Sequence, residues 1–199
     1  MNIKANGDIL NNPRVKQLSV PASGGDESLS AGACYAFSVE NKIAVKQMKS
    51  PYLGLKVNTV DKTNFFSRIE ETPMSKEDFK IIENFNSKKV AKLLSLDYIC
   101  ARCTGKAEFG ARALGNRSIL ANPGNPQNIK KINDLIKNRD FWMPFTPSIL
   151  EEHASKYLIN PKNIKSPYMT IGYSSTKLAK QEISACLHMT DYSARPQFV

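Results

Sequence analysis

The chain has 199 residues, 41% hydrophobic and 23% charged, with 28 Lys and Arg against 18 Asp and Glu for a formal net charge of +10. Such proportions exclude a disordered or fibrous chain and suffice for a buried core. The positive excess is spread along the chain rather than gathered in a tail, which favours anionic partners such as phosphates, nucleotides or nucleic acid.

The first residues, MNIKANGDIL, are polar and lack the apolar core of a leader peptide. No apolar run approaches the roughly 20 residues of a membrane span, so a cytoplasmic chain with unpaired cysteines is the expectation. Turn signals at Asn6-Gly7 and Asn11-Asn12-Pro13 precede a strand predicted over 15–20 and ended by Pro21. Next, Gly24, Gly25, Asp26 and Glu27 stand before Leu29, Ala33 and Phe37 at helical spacing. A glycine turn feeding a helix either holds a phosphate on its backbone donors or merely starts the helix. Residues 46–64 are rich in turn formers and mark a candidate domain boundary.

Asp61 is placed to cap a short helix through Ile69, and Ser75 with Asp78 reads as a capping box before Phe79, Ile82 and Phe85. A helix over 87–96 should turn Val90, Leu93 and Leu94 inward, and DYICARC (97–103) reads as a strand. Cys100 and Cys103 would then face opposite sides, which works against a shared metal.

Residues 105–120, GKAEFGARALGNRSIL, set Glu108, Arg112, Arg117 and Ser118 among Gly105, Gly110 and Gly115. Glycines allow close backbone approach and guanidiniums offer forked donors that match phosphate geometry. The competing reading is a pair of surface arginines in weak salt bridges, with Glu108 as a partner. After the turn cluster NPGNPQ, Ile129, Ile132 and Ile136 fall at helical spacing, and Lys130, Asn133 and Lys137 share the opposite face. Lys137 and Arg139 either bind an anion or complement the dipole at a helix end. Pro144 and Pro147 hold their segment extended, Ser148 is placed to cap a helix through Leu158, and SPYMTIGY (166–173) reads as a strand. His153 reads as a helix-surface residue; His188 with Asp191 allows a structural hydrogen bond or acid–base work. A third basic candidate, Arg195, stands near the C-terminus.

The text GKAEFGARALGNRSILANP resembles the signature of the carbamoyltransferase family that includes nodulation and antibiotic-tailoring O-carbamoyltransferases. INDLIKNRDFWMPFTPSILEE is similar to that family's asparagine-containing helix and Arg-Pro-Phe-Ala-Pro-Ser segment, and DYSARPQ (191–197) to its Asp-Gly-Thr-Ala-Arg-x-Gln element. MNIKANG and PASGGDESLSAGA resemble the end of the family's N-terminal domain. The resemblance implies an α/β fold: a YrdC-like mixed sheet with flanking helices over 51–199, incomplete at its C-terminus. Before it, residues 1–50 would be the C-terminal piece of an actin-like (Kae1-like) ATPase domain. It implies an ATP-dependent O-carbamoyltransferase, or a fragment or split subunit of one, that forms carbamoyl adenylate from carbamoyl phosphate and ATP and passes the carbamoyl group to a hydroxyl.

Carried over position by position, Arg112, Lys137 and Arg195 are the catalytic contacts to carbamoyl phosphate or nucleotide phosphates. Arg117, Ser118, Arg139, Gly24, Gly25 and Asn2 would bind substrate or nucleotide, and Asp26 would ligate metal. The implied cofactors are ATP and Mg2+, with Fe2+ only in the complete protein. The implied partners are carbamoyl phosphate, a hydroxyl-bearing small-molecule acceptor and a separate N-terminal subunit, with no membrane and no nucleic acid. Met143 stands where the family has an arginine, Ala111 replaces a proline and Ser28 a glycine. The chain is expected to begin after the family's iron-binding histidines and to stop before a Thr-Ser-Phe-Asn segment. The rival readings are a basic module for RNA or nucleotides, on the strength of the +10 charge, and an inactive remnant of the family.

Overall fold

The computed structural model describes residues 2–46, 48–57, 67–68, 71–73, 75, 80, 82, 85–140 and 142–199. Asp61, Ile69, Asp78 and Phe79 lie outside the described residues, and so do the helices expected on them.

The first element is not the turn that Asn6-Gly7 predicts. Helix α1 (Ile3–Asn11) runs through both residues, started by Asn2, whose Oδ1 accepts from the Ala5 amide at 3.0 Å. Tertiary packing accounts for the difference. Gly7 is buried where a Cβ would stand 2.4 Å from the Gly172 carbonyl oxygen, and the Asn6 amide donates to Thr170 O at 2.8 Å. The helix therefore needs a residue without a side chain at its contact point, at some cost in helix propensity. A Gly7→Ala variant would gain about 1 kcal/mol of propensity, yet it is expected to melt at a lower temperature because backbone blocks the new methyl. A melting temperature raised by the substitution would refute that packing argument. At the other end of α1, the Lys162 ammonium donates to Leu10 O, to Asn12 O at 2.7 Å and to Val15 O at 2.6 Å. The chain leaves that clasp extended, but 15–20 pairs with no strand among the described residues, contrary to expectation. Its alternate residues Leu18 and Val20 pack on the core instead.

A 3-10 turn, Asp26–Ser28, opens helix α2 (Leu29–Glu40) as the sequence predicts. Helix α3 (Ser87–Ser95) also forms as predicted, capped by Asn86 Oδ1 on the Lys89 amide at 3.0 Å, with Val90, Leu93 and Leu94 half-buried. It leads to β1 (Cys100–Cys103), antiparallel to β2 (Arg117–Leu120) with Cys100 opposite Leu120 and Cys103 opposite Arg117. Helix α4 (Gln127–Ile132) widens into a π turn, Asn133–Lys137, that ends on left-handed Asn138. The wider turn rotates the faces that a 3.6-residue period assigns. Asn133 is fully buried, whereas Lys130, Lys137 and Ile136 are exposed, so the expected shared face of Lys130, Asn133 and Lys137 does not form.

Ser148 also departs from its expected role. It begins β3 (Ser148–Ile149), which runs parallel to β6 (Gln197–Phe198), and the Gln197 amide donates to Pro147 O at 2.9 Å. A strand partner 49 residues away overrides the local capping signal. The helical turns follow later, as a 3-10 turn Glu151–His153 and α5 (Ala154–Tyr157). β4 (Leu158–Ile159) pairs antiparallel with β5 (Ser174–Ser175). The strand expected over 166–173 is a turn-rich segment with Met169 at positive φ, and only Tyr173 bridges, to Ala194. Thr176 caps α6 (Lys177–Glu182).

The fold is thus mixed α/β, with three two-stranded sheets among the described residues. Its core gathers Leu10 from α1 with Ile149, Leu158, Ile171, Tyr173, Ala179, Ile183, Leu187 and Phe198. Residues from both ends of the chain therefore share one apolar centre. Across that seam Lys4 pairs with Asp191, and this bond, with the Ser193 hydroxyl and amide, holds the Asp191 carboxyl below the ordinary carboxylate range. No helix among the described residues is long and apolar enough to cross a membrane.

Candidate functional site

Residues 104–116 join β1 to β2, and the chain anchors this loop from both sides. Glu108 Oε1 accepts from the amides of Asn116 at 2.7 Å, Leu114 at 2.9 Å and Arg117 at 3.2 Å. Burial opposes the Glu108 charge, but its own amide and the amides of Leu114, Asn116 and Arg117 outweigh burial and hold the carboxyl below its usual range. The carboxylate thus organises backbone, not the neighbouring arginine side chains. Arg117 completes the frame. Its guanidinium donates to Thr104 O at 2.6 Å, Asn116 O at 2.9 Å, and Leu55 and Gly105 O at 3.3 Å each. Ser118 Oγ accepts from the Gly115 amide at 3.0 Å. All three glycines adopt positive φ, at 53° for Gly105, 114° for Gly110 and 113° for Gly115, which explains why the turn uses them.

Two other segments close on this frame. Residues 51–57 zip along it through bonds from Gly54 to Ala107, Ala107 to Leu55, and Val57 to Gly105. At Gly110 the backbone comes so near Ala22 that a Cβ would lie 2.8 Å from its carbonyl oxygen. The segment carrying Gly24 and Gly25 therefore abuts the loop carrying Arg112.

Arg195 lies within reach of the charges of two arginines from distant parts of the sequence, Arg112 and Arg139. Arg195 is half-buried, and its Nε and Nη2 donate to Thr146 Oγ1 at 3.1 and 2.8 Å. Arg139 donates from Nε to Asn133 Oδ1 at 2.8 Å, and its guanidinium lies 4.7 Å from the centroid of the Phe145 ring. Arg112 is half-buried in the loop itself. Burial first, and then the charges of Arg112 and Arg139, push Arg195 down to about 10. Arginine keeps its proton at physiological pH, so Arg195 carries its charge beside two like charges. Among the described residues no carboxylate answers it: the ion pairs are Lys4–Asp191, Lys165–Glu151 and His188–Asp191.

The geometry also couples the arginines to the loop. Leu114 O accepts from Gln197 Nε2 at 3.1 Å and from the Tyr52 hydroxyl at 2.9 Å. Gln197 follows Arg195 by two residues, so this bond ties the Arg195 segment to the loop that carries Arg112. Asn133, buried under Arg139, donates to Asp140 O and Met143 O at 3.2 Å and so shapes the turn before Phe145.

The other expected site residues are placed differently. Lys137 is exposed at the end of the π turn, two residues before Arg139. Gly24, Gly25 and Asp26 are exposed, with Gly25 heading the 3-10 turn; Asn2 is the cap of α1. His153 is half-buried in a 3-10 turn, and His188 Nδ1 lies 3.5 Å from Asp191 Oδ1. Sequence reasoning missed Thr146, Gln197 and Tyr52. The signal for Thr146 was present: it is the one hydroxyl residue between Pro144 and Pro147.

The model of the family described as carbamoyltransferase C-terminus matches residues 91–199. The chain belongs to that family. All three clustered arginines, with Arg117, Ser118 and Lys137, fall within the matched carbamoyltransferase region; Asn2, Gly24, Gly25 and Asp26 precede it. Two uncharacterized proteins of Methanocaldococcus jannaschii are 33% and 35% identical, over 100% and 98% of this chain but only 32% and 36% of their own lengths. Nodulation protein NolO of Bradyrhizobium diazoefficiens is 41% identical over 96 residues, 48% of this chain and 17% of that protein. The chain thus spans about a third of the length of the two archaeal proteins and less of the nodulation protein.

Proposed function

We propose that the arginine cluster binds carbamoyl phosphate beside ATP, and that the chain serves ATP-dependent O-carbamoyl transfer as part of a longer or split enzyme. The observation that carries this reading is that Arg195 feels the charges of Arg112 and Arg139 while none of the three forms an ion pair among the described residues. Forked guanidiniums held by Thr146 and Asn133 match phosphate oxygens and stabilise charge on a transferring group. Lys137, exposed and two residues from Arg139, supplies a further cation to a triphosphate. Arg117 and Ser118 act on the nucleotide through the loop backbone they hold. The fold-level part of the proposal assigns 51–199 to a YrdC-like domain and 1–50 to the end of an actin-like one.

Metal enters this reading at one residue. Asp26 is a single exposed carboxylate, which suits Mg2+, since that ion takes one or two carboxylates with phosphate oxygens and water. Among the described residues no three His, Cys, Asp or Glu side chains gather as an ion site, so the proposal leaves iron to the longer protein. Gly24 and Gly25 bring backbone donors to the loop, and Asn2 contributes through its cap on α1. The acceptor is a small molecule bearing a hydroxyl.

The test is ATP–pyrophosphate exchange by the full-length gene product. Exchange should require carbamoyl phosphate and fall by about 10- to 100-fold in Arg112→Ala, the range of a charge-assisted hydrogen bond. Exchange equal in the variant and the parent would remove the arginine cluster from the reaction.

A further inference from the structure

A cavity of about 680 Å3 opens between α4 and the 184–192 segment, and none of its lining residues belongs to the arginine cluster. Pro126, Ile129, Leu187, Met189 and Tyr192 give it apolar walls. Leu187 is anchored in the core with 3% of its surface exposed, so that wall is fixed. Lys130 and Lys180 stand on the lining, and the Lys180 ammonium lies 4.0 Å from the centroid of the Tyr192 ring. Among the described residues neither lysine has a carboxylate within ion-pair distance. Asp134 offsets one of the two positive charges, and His188 is engaged with Asp191.

We infer that this cavity is a binding site for a small aromatic anion of one or two rings, its ring lying on the Tyr192, Leu187 and Ile129 walls and its acid group meeting Lys180. A cavity of this size with apolar walls and few polar groups has the make-up of ligand sites. The positive edge selects for an anion, because attraction at the mouth of a low-dielectric groove exceeds that in open water. The Lys180 ammonium covers one face of the Tyr192 ring, so a bound ring meets the Leu187 and Ile129 walls and the edge of Tyr192, with its acid group beside the ammonium. The inference is independent of the carbamoyl-transfer reading, since it rests on other residues.

The experiment titrates the full-length gene product with 2-naphthoate and, as its neutral counterpart, 2-naphthamide, followed by calorimetry and amide chemical shifts. Saturable binding of 2-naphthoate, at least about fivefold tighter than the amide, is expected, since one partly exposed charge contact contributes on the order of 1 kcal/mol. Lys180→Gln should abolish the preference for the anion, Tyr192→Ala should weaken both ligands, and Arg112→Ala should leave both unchanged. Lys180 and Tyr192 are exposed, so neither variant threatens folding. Absence of saturable binding, equal affinity for acid and amide, or displacement of 2-naphthoate by inorganic phosphate together with loss in Arg112→Ala would each overturn the assignment.

Discussion

Replacing Arg195 by alanine is expected to weaken carbamoyl phosphate binding by about 10- to 100-fold while raising the melting temperature of the ligand-free protein. The two effects share one cause. Burial and the like charges of Arg112 and Arg139 press Arg195 down to about 10, well below the ordinary arginine range. A base whose folded value is depressed binds its proton less well folded than unfolded, so its charge opposes folding throughout the neutral range. In the window from about 10 up to the ordinary arginine value the unfolded chain binds more protons, and this group makes stability rise with pH. An anion lodged among the three guanidiniums reverses the sign, because their charges then meet a counter-charge. Phosphate-induced stabilisation, measured as a melting shift, should therefore be present in the parent and nearly absent in Arg195→Ala. Arg195→Lys should not restore it, since one ammonium cannot reproduce both donations to Thr146 and a fork toward the ligand. Unchanged affinity and an unchanged melting shift in the alanine variant would count decisively against the cluster as the anion site.

The second large effect is expected at Glu108. Glu108→Ala leaves the amides of Leu114, Asn116 and Arg117 without their acceptor, in a loop whose other bonds depend on the same turn. A loss of about 2–3 kcal/mol follows for bonds to a charged acceptor in a partly exposed place, and a melting temperature lower by roughly 5–10 °C for a chain of this size. Glu108→Gln keeps an acceptor oxygen and should lose about half as much. The pH dependence has a definite direction. Burial works to raise this carboxyl, the amide donors lower it further than burial raises it, and its folded value lies below the ordinary 4.5. Its stabilisation is therefore present above 4.5 and is lost as pH falls through the lower folded value. Were Glu108 a salt-bridge partner of the arginines, salt would weaken the parent strongly; little salt sensitivity is expected, because its partners are backbone amides.

The two substitutions reach the same loop from two directions, and each is expected to weaken binding there. Arg195→Ala removes a ligand contact and leaves the frame, whereas Glu108→Ala loosens the frame and leaves the contacts. Calorimetry separates them: the first should lose binding enthalpy, and the second should add an ordering cost at each binding event.

Local chemistry was enough for several elements. The spacing of Val90, Leu93 and Leu94 predicts α3, the glycine and acid run predicts the start of α2, and DYICARC predicts β1. Gly105, Gly110 and Gly115 were legible as glycines that a tight backbone requires, and all three sit at positive φ. The family was legible too, because it is written in ordered motifs rather than in packing. What local chemistry could not supply was any decision made by a distant partner. Asn6-Gly7 is a turn signal by itself and a helix interior once Gly172 lies against it. Ser148 is a helix cap by itself and a strand residue once Gln197 lies beside it.

The arginines follow the same rule. Sequence alone determined that basic, forked donors stand among glycines and that the chain has a surplus of them. Only the tertiary structure decided which of them act together. It turned Arg117 onto four carbonyls and Glu108 onto three amides, which left Arg112, Arg139 and Arg195 to gather from positions up to 83 residues apart, the separation that Gln197 spans to reach Leu114. Spacing along a chain reports which side chains share a helix or strand, but charge repulsion and burial are properties of distances in space.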